Sequence, residues 1–587
     1  MKSLFYLNKY LFKYKWRLIL GTLFIISSNF FGAYMPSVVN EATDRIMEYV
    51  NSNEVNKADS SITSLAITLA GLYVFLSFMK GVFLFFTRQT IIIMSRLIEY
   101  DLKNEVYDKY QSLDMAFYKT HKTGDIMNRI SEDVSKVRMY LGPAIMYSIN
   151  LVVLFFFVVG FMLKINVELT LYALTPLPIM SFLVYKVSST INKKSEEVQV
   201  SQSKLSSFVQ EKLSGIRVLK AYNRSDYFVH DFENETYNYQ LANLSLAKTN
   251  ALFMPVIIFL IGLSTIITIY IGGMKAINGA IDVGDILQFV IYVNMLTWPF
   301  ASVGWVTSMV QRAAASQKRL NEFLNEKSNV NNVPNPIEEI KGDIEFKNVR
   351  FVYPESGIEA LSNVSFTIKE GTTVGITGKT GCGKSTIANL LCRLYDVTEG
   401  EILINGINIK QYKISALRSA FGVVPQEVFL FSDTVANNIS FGLKEEKVPK
   451  DKIIKAAKDA DIYDNIIGFE KGFETEIGEK GITLSGGQKQ RLSIARAIIK
   501  TPEYMLFDDC LSAVDTKTEE KILHNLERIM QNKTAVLIGH RISTLMSAYK
   551  ILLFENGKLL EEGTHNNLLK KKGAYFEIYQ RQSVEKI

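Results

Sequence analysis

The sequence predicts an α-helical six-span membrane domain with long cytoplasmic helical extensions, followed by an α/β domain built on a phosphate-binding loop. Three observations carry that prediction. The first half holds six apolar stretches of membrane-spanning length. The two longest connections between them are polar yet keep a helical period, as in Leu102, Val106, Tyr110 and Leu113. The second half holds Gly378-Lys379-Thr380-Gly381-Cys382-Gly383-Lys384-Ser385-Thr386, which matches G-x-x-x-x-G-K-[ST].

The apolar stretches run near 17–39, 62–87, 140–164, 167–189, 251–273 and 286–310. Each is close to the ~20 residues that cross a bilayer. Only Lys164-Ile165-Asn166 separates the third from the fourth, which forces a tight helical hairpin. Basic residues then set the orientation. Five Lys/Arg lie in the first 17 residues, nine in 88–139 and eight in 190–250. The connection 40–61 holds two beside five acids, and 164–166 and 274–285 hold one each. Alternate connections are basic, so both termini and the two long loops are expected in the cytoplasm, with the chain in the cytoplasmic (inner) membrane. Lys80 lies inside the second span, about eight residues or ~12 Å of helix rise from Arg88. It reads either as a functional group within the membrane or as a side chain snorkelling to the cytoplasmic interface.

Composition agrees. A chain of 587 residues suggests two or more domains. The hydrophobic fraction of 48% is high, and the formal charge of +7 is modest. No basic stripe runs through the second half, which excludes a nucleic-acid partner; the surplus suits basic flanks beside a membrane. Cys382, Cys392 and Cys510 all fall in the second half. They supply no disulfide framework and are expected to be reduced and cytosolic. The N-terminus interleaves Lys2, Lys9, Lys13, Lys15 and Arg17 with Leu4, Phe5, Tyr6, Leu7, Leu11 and Phe12. That is the pattern of a basic amphipathic helix on a membrane surface, and the apolar run after it is too long for a signal peptide.

The domains are expected at 1–320 and 342–587. The linker 321–341 is rich in asparagine (Asn321, Asn325, Asn329, Asn331, Asn332, Asn335) and holds Pro334 and Pro336. Each long polar loop carries a glycine turn, at Gly124 and Gly215. Each turn reads as a solvated hairpin tip or as a short helix that docks on the nucleotide domain.

In the second half, short strands alternate with helical stretches, which suggests a mainly parallel sheet. The P-loop lies between a strand-like run, Thr373-Val374-Gly375-Ile376, and a helical one, Ile387–Leu391. Glycines let successive N–H groups point at one anion, and the helix N-terminus adds partial positive charge. Lys384 can reach the β- and γ-phosphates, and Ser385 can ligate Mg²⁺. Tyr353, 25 residues upstream, is an aromatic that could stack on a base or simply pack. Gln426 follows another strand-like run. Leu484-Ser485-Gly486-Gly487-Gln488 precedes a helical run and offers a second phosphate-binding helix start. Asp508 ends an apolar strand, where an acid suits Mg²⁺, and His540 ends another.

With these motifs in this order, the whole chain resembles an ABC exporter half-transporter, one transmembrane domain fused to one nucleotide-binding domain. The resemblance implies ATP and Mg²⁺ as ligands. It implies that Tyr353 stacks on adenine, that Gln426 contacts Mg²⁺ and water, and that His540 stands at the γ-phosphate. Thr475–Gly481 is similar to the exporter X-loop, and Ser512-Ala513-Val514-Asp515 to the D-loop. The glycine turns at Gly124 and Gly215 match the coupling-helix regions. Family members dimerise head to tail, so the P-loop of one chain and the Ser485, Gly486, Gly487 and Gln488 of its partner enclose each ATP. Closure and hydrolysis drive alternating access.

One position departs from the family pattern. Glu ordinarily follows the Mg²⁺-binding Asp as general base or water-positioning group, whereas here Asp509 does. Its carboxylate stops about 1.5 Å short, and misplacement by ~1 Å can cost ~10²-fold in rate. An Asp here resembles the degenerate subunit of a heterodimeric exporter, which we favour over a homodimer that tolerates Asp. The expected partners are thus a second half-transporter, membrane lipids, and a hydrophobic or amphipathic small-molecule, lipid or peptide substrate. A lipid or glycolipid flippase of the same architecture is the alternative. Six spans in one chain argue against a soluble ABC ATPase.

Overall fold

The computed structural model describes residues 2–51, 60–443, 445, 448–478, 484–510 and 516–584. The chain divides into two units, Met1–Gln111 with Gly124–Asn325, and Ser112–Thr123 with Glu326–Ile587.

The first unit is helical. Among the described residues, six helical segments are long and apolar enough to cross a membrane: Lys15–Tyr49, Thr63–Ser112, Thr123–Ile165, Val167–Ser214, Phe228–Ile277 and Val283–Leu324. The 48 residues of Val167–Ser214 span ~70 Å at 1.5 Å per residue, over twice the ~30 Å hydrocarbon core. These helices therefore continue well past any bilayer as polar extensions. Between the third and fourth, Asn166 turns the chain and caps the next helix by accepting from the Leu169 N–H at 2.9 Å. Val158, Met162, Leu169, Ile257, Phe289 and Tyr292 help build a shared core of the third to sixth helices. A polar seam joins the first and sixth: Asn40 donates to Asp285 and Gln288, and Gln288 donates to Ser37 and Tyr292.

Three local features differ from the sequence reading. The sixth helix runs on to Leu324, because Asn321 is held there by Gln317 and by the Ser3 carbonyl despite its weak helix propensity. The N-terminal segment is pinned and not merely laid on a surface. Leu7 and Tyr10 are buried, and Lys9 and Lys13 pair with Glu105 and Asp101 at 2.6 Å each. Phe5, Phe12 and Trp16 remain exposed. Finally, Gly124 does not break the chain at the first turn but lies within helix Thr123–Asn128. The break comes from Asp114, which caps Met115–Thr120 through the Phe117 N–H, and from extended His121, whose ring stacks on Phe117 at 4.1 Å. At the second turn Gly215 does separate Pro176–Ser214 from Ile216–Ala221.

The second unit is α/β. Its strands are β1 (Ile344–Val352), β2 (Glu359–Ile368), β3 (Thr373–Gly378), β4 (Glu399–Ile404), β5 (Ile407–Asn408), β6 (Phe421–Val424), β7 (Tyr504–Asp508), β8 (Thr534–Ile538), β9 (Lys550–Glu555) and β10 (Lys558–Gly563). The main sheet is ordered β10-β9-β3-β8-β7-β6 and is parallel except for the β9–β10 hairpin. β7 and β8 are buried at every position, as strands covered on both faces must be. A second, antiparallel sheet, β2-β1-β4-β5, was not expected from the sequence. One core lies between the two sheets, with Phe346, Phe351, Ile376, Leu391 and Phe554 fully buried.

Candidate nucleotide-binding and catalytic site

β3, β8, β7 and β6 are neighbours and run parallel. Their carboxyl ends consequently share one edge, where open α/β sheets bind ligands. The P-loop leaves β3, His540 follows β8, Asp508 ends β7 and Asp509 follows it, and Gln426 follows β6. Residues scattered over more than a hundred positions are thus gathered by strand order alone.

The P-loop itself is shaped by close approach. Gly378 has φ +145°, and a Cβ there would stand 2.1 Å from the Phe554 carbonyl oxygen. Gly383, at φ +98°, begins helix Lys384–Leu391, and a Cβ there would meet the Ala360 carbonyl oxygen at 2.4 Å. Only glycine fits either place. Lys384 is buried, and its ammonium donates to the carbonyls of Gly378 at 2.9 Å and Lys379 at 2.8 Å. Lys379 pairs with Glu555 at 2.8 Å and stays exposed. Cys382 is buried within the loop, and burial raises its thiol pKa. Burial pushes Cys392 up to about 12; all three thiols are free and buried.

The Asp508 carboxyl pKa is raised, first by burial, against the lowering effect of the Ser385 hydrogen bond. Asp509 raises it too, while Lys384 and His540 lower it. Ser385, Lys384, Asp508, Asp509 and His540 therefore form one electrostatic group. Its oxygen donors, the Ser385 hydroxyl and the Asp508 carboxylate, are the hard ligands Mg²⁺ takes. Asp509 is half-buried at φ +45°, and its N–H donates to Ile538 at 2.8 Å. Gln426 is exposed on its loop.

Tyr353 follows β1, and its hydroxyl lies 2.9 Å from the Thr386 hydroxyl on the P-loop helix. Its ring stands edge-on to Phe351 and Tyr395, at 4.8 and 5.4 Å between centroids. The aromatic therefore packs and also stands beside the phosphate-binding loop.

Ser485 begins helix Gly486–Ile498 with a reciprocal cap: its hydroxyl accepts from the Gln488 N–H at 3.3 Å, and the Gln488 side chain accepts from the Ser485 N–H at 2.9 Å. Ser485 and Gly486 are exposed and Gly487 is partly so. Among the described residues, no hydrogen bond joins this turn to the P-loop. In the X-loop stretch, Val435 donates to Thr475 and Ile477 to Asp433; residues 479–481 and the D-loop residues 512–515 lie outside the described residues. Motif reading missed the residues that hold the His540 loop. Buried Glu519 pairs with Arg541 and accepts from the Thr544 hydroxyl at 2.9 Å.

The comparisons agree with this geometry. Residues 18–300 match the family model described as the ABC transporter transmembrane region, and 361–512 match that described as ABC transporter. The chain is 34% identical to the multidrug resistance-like ATP-binding protein MdlA of Escherichia coli, over 83% of this chain and 82% of that protein. It is 33% identical to the probable multidrug resistance ABC transporter ATP-binding/permease protein YheI of Bacillus subtilis, over 98% and 96%. A solved structure, of a bacterial Atm1-family ABC exporter with ATP bound, matches with a TM-score of 0.79 at 25% identity, over 96% of this chain and 99% of that one. The chain therefore belongs to the ABC transporter family, as an exporter-type half-transporter that spans the membrane several times, binds ATP and couples its hydrolysis to transport.

Proposed function

We propose that this chain forms one half of a dimer that exports an apolar or amphipathic substrate across the cytoplasmic membrane by alternating access. The transmembrane domain takes 1–320 apart from Ser112–Thr123, the nucleotide-binding domain takes 342–587, and both termini lie in the cytoplasm. The observation that carries the reading is the capture of Ser112–Thr123, the continuation of the second span, by the nucleotide-binding unit. Met115 and Ala116 pack on that unit's core, and Asp114 accepts from the Asn329 N–H at 2.6 Å.

The other tip, Ile216–Ala221, supports dimer formation. Leu213, Ile216, Val218 and Tyr222 are exposed there beside Arg217 and Lys220, an apolar and basic face suited to a partner's nucleotide-binding domain. The P-loop of this chain (Gly378–Thr386, with Tyr353) holds one ATP, and Ser485–Gln488 covers the partner's. Ser385, Asp508 and Gln426 hold Mg²⁺, which offsets phosphate charge. Asp509 and His540 orient the attacking water and the γ-phosphate. Asp509 in place of Glu favours a heterodimer. The names of the relatives, which speak of multidrug resistance, support a broad cargo range. ATPase stimulation and vesicle uptake across a panel of drugs, lipids and peptides test this reading. Stimulation by lipids alone would replace it with a flippase.

Lys80 offers a sharper test of cargo. Its side chain lies across Gly32 of the first helix, where a Cβ would meet Lys80 Cε at 3.2 Å. Ser28, one turn away, donates to the Lys80 carbonyl at 3.1 Å. An ammonium so placed within a span favours an anionic group on the cargo. Lys80→Met is expected to slow export of anionic substrates roughly tenfold, ~1.4 kcal/mol, and to spare neutral ones. An equal effect on both, or none, counts against it.

A further inference from the structure

The loop that carries His540 is gripped by a helix that no motif includes. Gln582, in the last turn of helix Ala574–Val584, donates through Nε2 to the His540 carbonyl at 2.7 Å. The same amide accepts through Oε1 from the Ile542 N–H at 2.9 Å. One planar group thus brackets Arg541 and fixes the backbone on both sides of it. Upstream, the Gly539 N–H donates to the Ile376 carbonyl in β3 at 3.0 Å, which ties the other end of the loop to the strand that delivers the P-loop. Arg541 is held in turn by Glu519.

The Cα of His540 is accordingly pinned before and after, and the imidazole keeps little freedom beyond its own side-chain torsions. That arrangement matters for rate, because a displacement of ~1 Å at a reacting centre can cost ~10²-fold. It also explains why a glutamine is needed. The clamp requires one donor and one acceptor on the same planar end. Asparagine offers both but is a methylene shorter, ionised glutamate lacks the donor, and methionine lacks both.

We propose that Gln582 is a positioning residue for ATP hydrolysis: through two backbone hydrogen bonds, the helix Ala574–Val584 sets where the His540 imidazole stands at the γ-phosphate. The proposal rests on the reading of His540 as the group at that phosphate.

The test uses the full complex in detergent or nanodiscs. Azido-ATP is photo-crosslinked to this chain, and its conversion to ADP is followed in a single turnover. This reads the site of this chain whether its partner is identical or not. Gln582→Met is expected to slow conversion roughly tenfold, to leave ATP affinity within about twofold, and to leave the unfolding temperature unchanged. His540→Ala should be slower still, and Gln582→Met added to it should cost nothing further, because both act through one group. Gln582→Glu should approach the wild type as pH falls, compared with wild type at each pH, since a protonated carboxyl regains the donor. Wild-type conversion in Gln582→Met, with His540→Ala impaired, overturns the proposal. So do losses that multiply in the double variant, or a Gln582→Glu variant indifferent to pH. Wild-type conversion in His540→Ala overturns the role of the histidine, and this proposal with it.

Discussion

Lys384→Ala is expected to abolish ATP-driven transport. The lysine is buried at the start of the P-loop helix, with its ammonium held by the carbonyls of Gly378 and Lys379. Two losses coincide on truncation. The phosphates lose their main side-chain counter-ion, and a charge-assisted hydrogen bond of this kind contributes about 1.5–3 kcal/mol. The loop also loses the group that gathers its own carbonyls, so the N–H groups that face the anion are held less firmly. Removing one preorganised electrostatic group commonly costs ~10²–10³ in rate, and here binding weakens as well. Uptake and ATPase activity of the purified complex measure the outcome, alongside a thermal-unfolding control. Undiminished transport by a folded variant would refute the assignment of this loop.

The second large effect separates the two kinds of dimer. If the partner carries Glu after its own Mg²⁺-binding Asp, the fast site combines the partner's P-loop with Ser485–Gln488 of this chain. Ser485→Arg should then remove most turnover. It deletes the reciprocal cap with Gln488, worth roughly 1 kcal/mol. It also sets a long cation at a helix N-terminus, where the dipole disfavours it and where the partner's γ-phosphate must enter. Asp509→Asn should leave most turnover intact, because its shorter carboxylate serves only the slow site. In a homodimer every site uses both residues, so both changes should be severe, and Asp509→Glu should raise activity. Turnover of the chain alone, and with candidate partners, decides between them. Robust hydrolysis by the lone chain that disappears in Asp509→Asn would falsify the heterodimer reading.

Much of this architecture was legible because its signals are local. Apolar stretches of bilayer length and alternating basic loops gave six spans, and glycines followed by Lys384-Ser385 gave the P-loop. Asp508 and His540 could be placed because one ends a short apolar strand and the other closely follows one. Two antiparallel pairings, one in each sheet, were also written in the sequence but not read. Asn405-Gly406 joins β4 to β5, and Asn556-Gly557 joins β9 to β10, with positive φ at all four residues, the dipeptide that tight hairpins demand. Gly124 misled because glycine is a frequent breaker, whereas an aspartate cap and an extended histidine make the break. Gln582 had no signal at all. It grips main-chain atoms 40 and 42 positions away, and backbone partners leave no trace in residue type.

The capture of Ser112–Thr123 by the nucleotide-binding unit carries a consequence in time. Asp114 is translated 215 residues before Asn329, whose N–H it accepts. At ~5–20 residues per second the ribosome needs roughly 10–40 s to cover that interval. Throughout it, Met115 and Ala116 lack the core that covers them, which is built from residues 340–554. The two parts of this protein therefore cannot mature as beads on a string. The continuation of the second span must wait uncovered until the residues that pack on Met115 and Ala116 have been synthesised.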